Sequence, residues 1–461
     1  MNKKLTINFV LGARSVTGSN FMISSDKRHL LVDCGLLQGV KMADDINREA
    51  FSYDPASIDA LFITHAHMDH VGRIPKLVRD GFKGPIYSTN ATKDLSTLML
   101  DDALGLLTRE AEREGIEPMY EEADVKHTMA MWHGFEYHQP IHIDKDTDDE
   151  IQVVLRDAGH VLGSAMIEIT YNNKKVVFTG DLGNSPAPLL RDTEVLTDTD
   201  YLVMESVYGD RNHESHHERK AKLQRILTDA VSHGGTILIP AFSLERTQDL
   251  LFEINDMVEH NLIPRVPIYL DSPLAIKITE VYKKYNRLFN TDTQHIIKTG
   301  DDIFKFPGLI MTATSDESKA INYTHGAKII MAGSGMMNGG RIVHHARNYL
   351  SNPQNTILLV GYQAVGTPGR YIDEGAKIVT FYGQPVNIKA KVEKIFGYSA
   401  HKDSDHLAEM VETLQGKVKK VFIVLGEPKS SFFLAQKIHD RYGVEVSVPE
   451  RGDIVELDMG E

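Results

Sequence analysis

The stretch Ile63-Thr64-His65-Ala66-His67-Met68-Asp69-His70-Val71-Gly72 decides how this chain is to be read. The apolar run at 61–63 predicts a buried strand, and it stops in three imidazoles and a carboxylate within six positions. Zinc favours these ligand types and binds imidazole nitrogen and carboxylate oxygen at roughly 2.0–2.2 Å. Alternation along an extended segment puts His65 and His67 on one side, and a turn into a following helix brings Asp69 and His70 round towards a second ion. The bland alternative is a solvated polar loop. Four candidate ligands directly after a buried strand weigh against it.

A two-metal site needs more ligands, and the chain offers Asp157-Ala158-Gly159-His160-Val161-Leu162-Gly163-Ser164 and Thr179-Gly180-Asp181-Leu182-Gly183. We choose His160 and Asp181, because flanking glycines let the backbone approach an ion and a carboxylate can bridge two metals. Taken alone, each reads more readily as a capping or surface residue. Asp33 closes the apolar run Leu30-Leu31-Val32 and is placed to accept the second ring N–H of a ligand histidine.

The rest of the composition bounds the setting. At 461 residues, with 42% apolar and 25% charged side chains and no repeat or low-complexity tract, the chain reads as two or three globular units. The apolar run at 5–11 is too short for a signal-peptide core or a membrane span and predicts a first strand. Cys34 has no partner in the chain, which points to the cytoplasm, and its apolar neighbours make it a small buried hydrophobe rather than a nucleophile. A net charge of −14 excludes a surface that coats nucleic acid non-specifically, but not a local site whose bound cations reverse the sign.

Up to about residue 205, short apolar runs each end on a candidate site residue, so that strand ends hold the side chains. Between 236 and 360, strands alternate with helical patterns, including apolar positions 250, 251, 254 and 258 on one helix and a second helix over 274–288, which predicts a parallel sheet. The tail from about 377 returns to short strands and one helix. The expected organisation is a first domain at 1–207, an inserted α/β domain at 208–375, and a tail at 376–461 that completes the first.

Taken in order, these motifs resemble the β-CASP nucleases of the metallo-β-lactamase fold, in wording close to bacterial and archaeal relatives of the mRNA 3′-end-processing endonuclease. The resemblance runs through Leu11-Gly12-Ala13-Arg14, Val16-Thr17-Gly18-Ser19, Asp33, the 65–70 cluster, His160, Asp181 and Glu205-Ser206-Val207-Tyr208-Gly209. It continues through Arg246-Thr247-Gln248, Asp271-Ser272-Pro273, Gly333-Ser334-Gly335-Met336, Gly339-Gly340-Arg341, Gly361-Tyr362-Gln363 and Ser399-Ala400-His401. It implies an α/β fold, an αββα metallo-β-lactamase sandwich interrupted by the β-CASP insert, with the insert forming one wall of an RNA-binding cleft.

The resemblance also implies phosphodiester hydrolysis by water shared between two Zn²⁺ ions. Metal ligands are then expected at His65, His67, Asp69, His70, His160 and Asp181, and catalytic roles at Asp33, Asp69, Glu205 and His401. Glu205 would orient His401, the general acid; without the resemblance, His401 before Lys402-Asp403-Ser404-Asp405 reads equally as a helix-start residue. Ser334, Gly335 and Arg341 are candidate substrate contacts through backbone N–H groups, although a glycine-rich turn is ordinarily only a turn. The histidines at 213, 216, 217, 344 and 345 are expected to be solvated or structural.

One position departs from the pattern. Family members that act on RNA carry a ligand histidine in a His-Gly-Glu segment, and here Val424-Leu425-Gly426-Glu427 puts Leu425 in its place. An aliphatic side chain cannot ligate zinc, so the second ion is expected to bind weakly or to be Mn²⁺. RNA is the expected partner, with single-stranded DNA next, no membrane, and room for a homodimer. The competing readings are a small-molecule hydrolase of the same superfamily, which the long insert opposes, and an RNA-binding protein with reduced activity.

Overall fold

The computed structural model describes residues 3–39 and 42–460. The chain divides into two compact units: residues 1–185, 192–212 and 401–461 form one, and residues 186–191 and 213–400 the other.

In the first unit two seven-stranded sheets face each other. One runs, in spatial order, through Ile454–Asp458, Lys4–Leu11, Asn20–Ser24, His29–Val32, Ala60–Phe62, Ile86–Thr89 and Trp132–Phe135. The other runs through Val446–Ser447, Lys420–Ile423, Tyr201–Met204, Lys174–Phe178, Ala165–Tyr171, Ile151–Asp157 and Ile141–Ile143. Along Lys4–Leu11 the side chains of Leu5, Ile7 and Phe9 alternate inward, the period-2 pattern of a strand with one buried face. Phe9 meets Phe21 edge-on at 6.0 Å between ring centroids and Phe422 of the opposite sheet at 5.5 Å, so the aromatic rings stitch the two layers together.

Helices close both outer faces. Ile74–Arg79 and the long helix Asn90–Glu114 cover the first sheet through Ile74, Leu77 and Leu100, while Ser404–Glu412 and Pro428–Tyr442 cover the second through Leu407, Val411, Leu434 and Ile438. Gly115, at φ 68°, supplies the left-handed residue that ends the long helix. The result is the expected αββα sandwich.

The second unit is built on a six-stranded sheet in the order Leu309–Met311, Ile268–Leu270, Lys328–Ala332, Thr236–Pro240, Thr356–Val360 and Lys391–Ile395, with every pair parallel. Such strands are buried on both faces and read as continuous apolar runs, as Thr236–Pro240 and Thr356–Val360 do.

The unit boundaries differ from the sequence reading in three places. Residues 186–191, expected in the first domain, belong to the second unit, and residues 208–212, expected in the insert, belong to the first. Residues 376–400, expected with the completing tail, belong to the second unit, because Lys391–Ile395 pairs with Thr356–Val360 as its edge strand. The tail that returns to the first unit carries two helices, where the sequence suggested one. The pattern expected as a helix over 274–288 is the helix Pro273–Lys284 followed by a 3₁₀ turn, Asn286–Leu288. No helix of the described residues is long and apolar enough to cross a membrane.

Candidate metal centre

The parallel strands His29–Val32 and Ala60–Phe62 end side by side, which puts Asp33 against the start of the histidine cluster. Asp33 donates its backbone N–H to the Phe62 carbonyl at 2.9 Å, and its carboxylate accepts from the Thr64 N–H at 2.8 Å and the Ser19 hydroxyl at 2.9 Å. The same carboxylate faces His70 Nδ1 at 2.7 Å, as expected of a group that orients a ligand imidazole. After His67 the chain makes one helical turn, Met68–Val71, which carries Asp69 and His70 back towards the strand ends.

Four of the expected ligands converge. One donor atom each of His65, His67, His160 and Asp181 lies within 4.8 Å of the others. His65 Nε2 is 3.0 Å from His67 Nδ1 and 3.5 Å from Asp181 Oδ2, and His160 Nε2 is 3.3 Å from His67 Nδ1 and 3.6 Å from Asp181 Oδ2. His70 Nε2 reaches the same Asp181 oxygen at 3.4 Å and lies 4.0 Å from Asp69 Oδ2. Asp181 is thus the common neighbour of two groups, His65 with His67 and His160, and His70 with Asp69.

Several ligand loops meet here because glycine allows it. A Cβ built on Gly35 would lie 1.5 Å from the Asp69 carbonyl oxygen, and one on Gly183 would lie 1.9 Å from that of Gly159. The first contact seats the Asp69 turn against the Asp33 strand end, and the second seats the His160 loop against the Asp181 loop. Gly35, like Ser19 and Thr64, carries no ligand chemistry that marks it in the sequence; its one signal is its place directly after Asp33-Cys34.

The charge balance fits a cation. His70 Nε2 and Asp181 Oδ1 are buried and make no hydrogen bond among the described residues, and an unsatisfied buried polar atom costs about 1–3 kcal/mol. Burial, reinforced by neighbouring imidazoles, holds His65 well below the usual histidine range, so its ring is neutral with a lone pair to give. Burial raises Asp69 to about 6. At His70 burial opposes protonation, yet the carboxylates of Asp181 and Asp33 raise its pKa well above normal. Protonated imidazole therefore stands where the surrounding carboxylates call for positive charge, the position a divalent ion takes in such a donor set. The residues present fit a divalent metal ion.

His401 sits beside this cluster, brought there by a β-bridge between Gly183 and His401. Its Nδ1 lies 3.2 Å from Glu205 Oε1 and 3.9 Å from Asp181 Oδ2. Glu205 is fully buried and accepts from the backbone N–H of Leu182 at 2.6 Å and of Val207 at 3.2 Å. Burial lowers the His401 pKa, but Glu205 and Asp181 outweigh it and raise the group to about 9. Burial also raises Glu205, opposed by the His401 imidazolium and the Leu182 N–H.

Leu425 is 1% exposed and packs in the core between the two sheets, at φ 47°. The glycine-rich candidates lie in the second unit. The Ser334 N–H reaches the Gly339 carbonyl at 3.3 Å, and the Gly335 carbonyl accepts from Gln363 at 3.1 Å. The Arg341 guanidinium is engaged by Asp271 at 2.7 Å and by the carbonyls of Thr312 and Ala313 at 2.9 Å each. That is a structural role, so any contact from this segment to a phosphate is left to its backbone. His345 is structural too, with Nε2 2.7 Å from Asp271.

Residues 15–241 match the model of the metallo-beta-lactamase superfamily, residues 247–372 that of the Beta-Casp domain, and residues 385–449 that of the Zn-dependent metallo-hydrolase RNA specificity domain. The chain is 35% identical to a protein named Ribonuclease TTHA0252 from Thermus thermophilus, over 96% of this chain and 97% of that one. It is 31% identical to an RNase J-like protein from Methanocaldococcus jannaschii, over 98% and 99%, and 30% identical to transcription termination factor FttA from Pyrococcus abyssi, over 97% and 70%. A crystal structure of a protein of unknown function from Enterococcus faecalis shares the fold, with a TM-score of 0.58 at 14% identity, covering 98% of this chain and all of that one.

Proposed function

Because the chain belongs to the β-CASP family of metallo-β-lactamase-fold nucleases, we propose that it is a zinc-dependent ribonuclease with His401 as its general acid. The observation that carries this reading is the position of His401, 3.2 Å from Glu205 and next to the carboxylate on which three imidazoles converge.

His65, His67, His160 and Asp181 would hold the first ion, and Asp69, His70 and Asp181 the second. Bound there, divalent cations supply Lewis acidity to a phosphate and bring the pKa of water to near neutrality. The protein's own groups do the rest. Asp33 fixes the His70 ring through Nδ1. Glu205, held by two backbone donors, faces His401 Nδ1 and keeps the ring protonated and oriented. His401 Nε2 is then the atom that delivers a proton to the departing ribose oxygen.

The long insert and the Glu205–His401 pair support a polymeric phosphodiester over a small-molecule substrate. The names of the relatives support RNA, and a lone buried thiol, Cys34, suits a reducing cytoplasm. Purified protein with Zn²⁺ or Mn²⁺ is expected to cleave single-stranded RNA, with single-stranded DNA as the parallel substrate, and Asp69→Ala to abolish cleavage. RNA left intact under every metal condition overturns the reading.

A further inference from the structure

Away from the metal centre, the second unit carries a small exposed hairpin whose tip does not have the composition its geometry asks for. The strands Ile378–Phe381 and Gln384–Asn387 are joined by only Tyr382 and Gly383, since Phe381 pairs directly with Gln384. Both tip residues lie in the left-handed region, at φ 50° and 76°. A two-residue turn with two positive φ values strongly favours Asn, Asp or Gly first, and a bulky residue there carries a conformational cost. The ring offers no burial in return, because Tyr382 is 59% exposed while Val379, Phe381 and Val386 fill the covered face. An outlier of this kind points to function.

What surrounds the ring says what it meets. Its centroid lies 5.9 Å from that of His344, tilted by 40°, and its hydroxyl overhangs Gly339, 3.9 Å from where a Cβ would stand. His344 and Arg347 are both exposed and lie one turn apart on the helix Arg341–Tyr349. Arg347 bonds the side chain of Gln384, which holds its charge beside the hairpin tip. The region is also electrostatically unlike the rest of the chain: residues 321–400 contain eight Lys or Arg against three Asp or Glu, in a protein whose net charge is −14. Exposed flat rings beside a fixed guanidinium, on a locally basic segment, match an unpaired base with its phosphate, since stacking reads the π-face of any base and the cation tracks the backbone.

We propose that Tyr382 and His344, with Arg347 beside them, form a stacking platform for an unpaired base of the RNA substrate. The inference rests on the ribonuclease reading for the identity of its ligand.

The test uses the full-length protein stripped of metal with EDTA, so that binding is read without cleavage, and a fluorescein-labelled oligoadenylate followed by anisotropy. Tyr382→Ala and Tyr382→Asn are expected to weaken binding about ten-fold or more, and Tyr382→Trp to retain it. Asparagine suits the turn, so Tyr382→Asn is also expected to raise the thermal midpoint while affinity falls, an opposition that a merely structural tyrosine does not produce. Tyr382→Asn protein that binds oligoadenylate like wild type, or that loses stability and affinity together, overturns the platform. Wild-type protein that binds oligoadenylate in a Tyr382-dependent way but cleaves no RNA with any metal supports the platform and overturns the nuclease reading. Wild-type protein that binds no oligoadenylate overturns the platform, while the nuclease reading stands or falls on cleavage alone.

Discussion

Leu425 donates its backbone N–H to the carbonyl of Gly12 at 2.8 Å and lays its side chain over that glycine, 3.0 Å from where a Cβ would stand. This pair joins the loop after the Lys4–Leu11 strand to the loop after Lys420–Ile423, at the position where the resemblance expects a ligand histidine. The leucine holds a left-handed backbone, which costs a non-glycine residue roughly 1–2 kcal/mol, and returns that cost through burial among Phe9, Phe21 and Val424.

Leu425→His should therefore restore a donor on a backbone that histidine tolerates better than leucine does. After dialysis against a weak chelator, wild-type protein is expected to retain about one zinc per chain and the variant nearly two, as read by elemental mass spectrometry. Loss of the buried leucine should lower the metal-free thermal midpoint, because burying such a side chain is worth about 2 kcal/mol. Equal retention of two ions by both proteins would mean that Leu425 does not weaken the second site.

Asp33→Ala removes the acceptor shared by Ser19, Thr64 and His70, and leaves their donors buried and unpaired. We expect a loss of about 3 kcal/mol in urea unfolding, seen with and without EDTA. Affinity for the second, weaker zinc, measured by competition with a chromophoric chelator, should fall about 10–100-fold. Unchanged affinity would remove Asp33 from the set of groups that orient the ligands.

How much of this could be read in advance depended on how local each signal was. His65, His67, Asp69 and His70 stand in one short segment after an apolar strand, and periodicity with ligand chemistry is enough to find them. His160 and Asp181 needed the metal site as a premise, and His401 needed the family pattern, because a lone histidine before a polar run looks like a helix start. The edge strand Lys391–Ile395 lies in the other unit than the sequence suggests for a physical reason: Lys391, Glu393 and Lys394 are charged and only Ile395 is fully buried, so it lacks the apolar run that marks the central strands of its sheet. The role of Gly35 depends on a backbone approach between segments more than thirty residues apart, which no spacing reveals.

Asp271 gives the second unit an acid-sensitive pin. Burial raises its pKa, but His345, Ser318, Thr312 and Arg341, each at 2.6–2.7 Å, outweigh that and hold it at about 2. The folded value lies below the unfolded one of roughly 3.9, so the contribution is present above pH 4 and is lost as pH falls towards 2. Urea unfolding of the wild type should lose about 2 kcal/mol across that window, and Asp271→Asn should flatten the dependence after an initial loss of stability. A variant with the same acid slope as wild type would assign the slope to other carboxylates.

The ligand turn itself rests on Gly35. Around it, Ser19 N–H donates to the Asp69 carbonyl at 2.8 Å, Cys34 N–H to the His70 carbonyl at 2.8 Å, and Leu36 N–H to the Met68 carbonyl at 2.9 Å, so the turn is pinned along its length. A methyl group at position 35 would overlap the Asp69 carbonyl carbon and oxygen, at 2.0 and 1.5 Å, and neither is the end of a flexible side chain that can swing away. Gly35→Ala must therefore shift backbone, at a cost of about 1–3 kcal/mol, and the shift falls on Asp69 and His70 together. Affinity for the second zinc is expected to drop by at least about ten-fold. Gly105→Ala is the matched control: it lies in the long helix Asn90–Glu114 with nothing within 4 Å of the added carbon, and should stabilise the protein by about 0.5–1 kcal/mol with no change in metal binding. A Gly35→Ala protein that binds the second zinc as tightly as wild type would show that Asp69 and His70 can move without loss, and so would take them out of the ligand set.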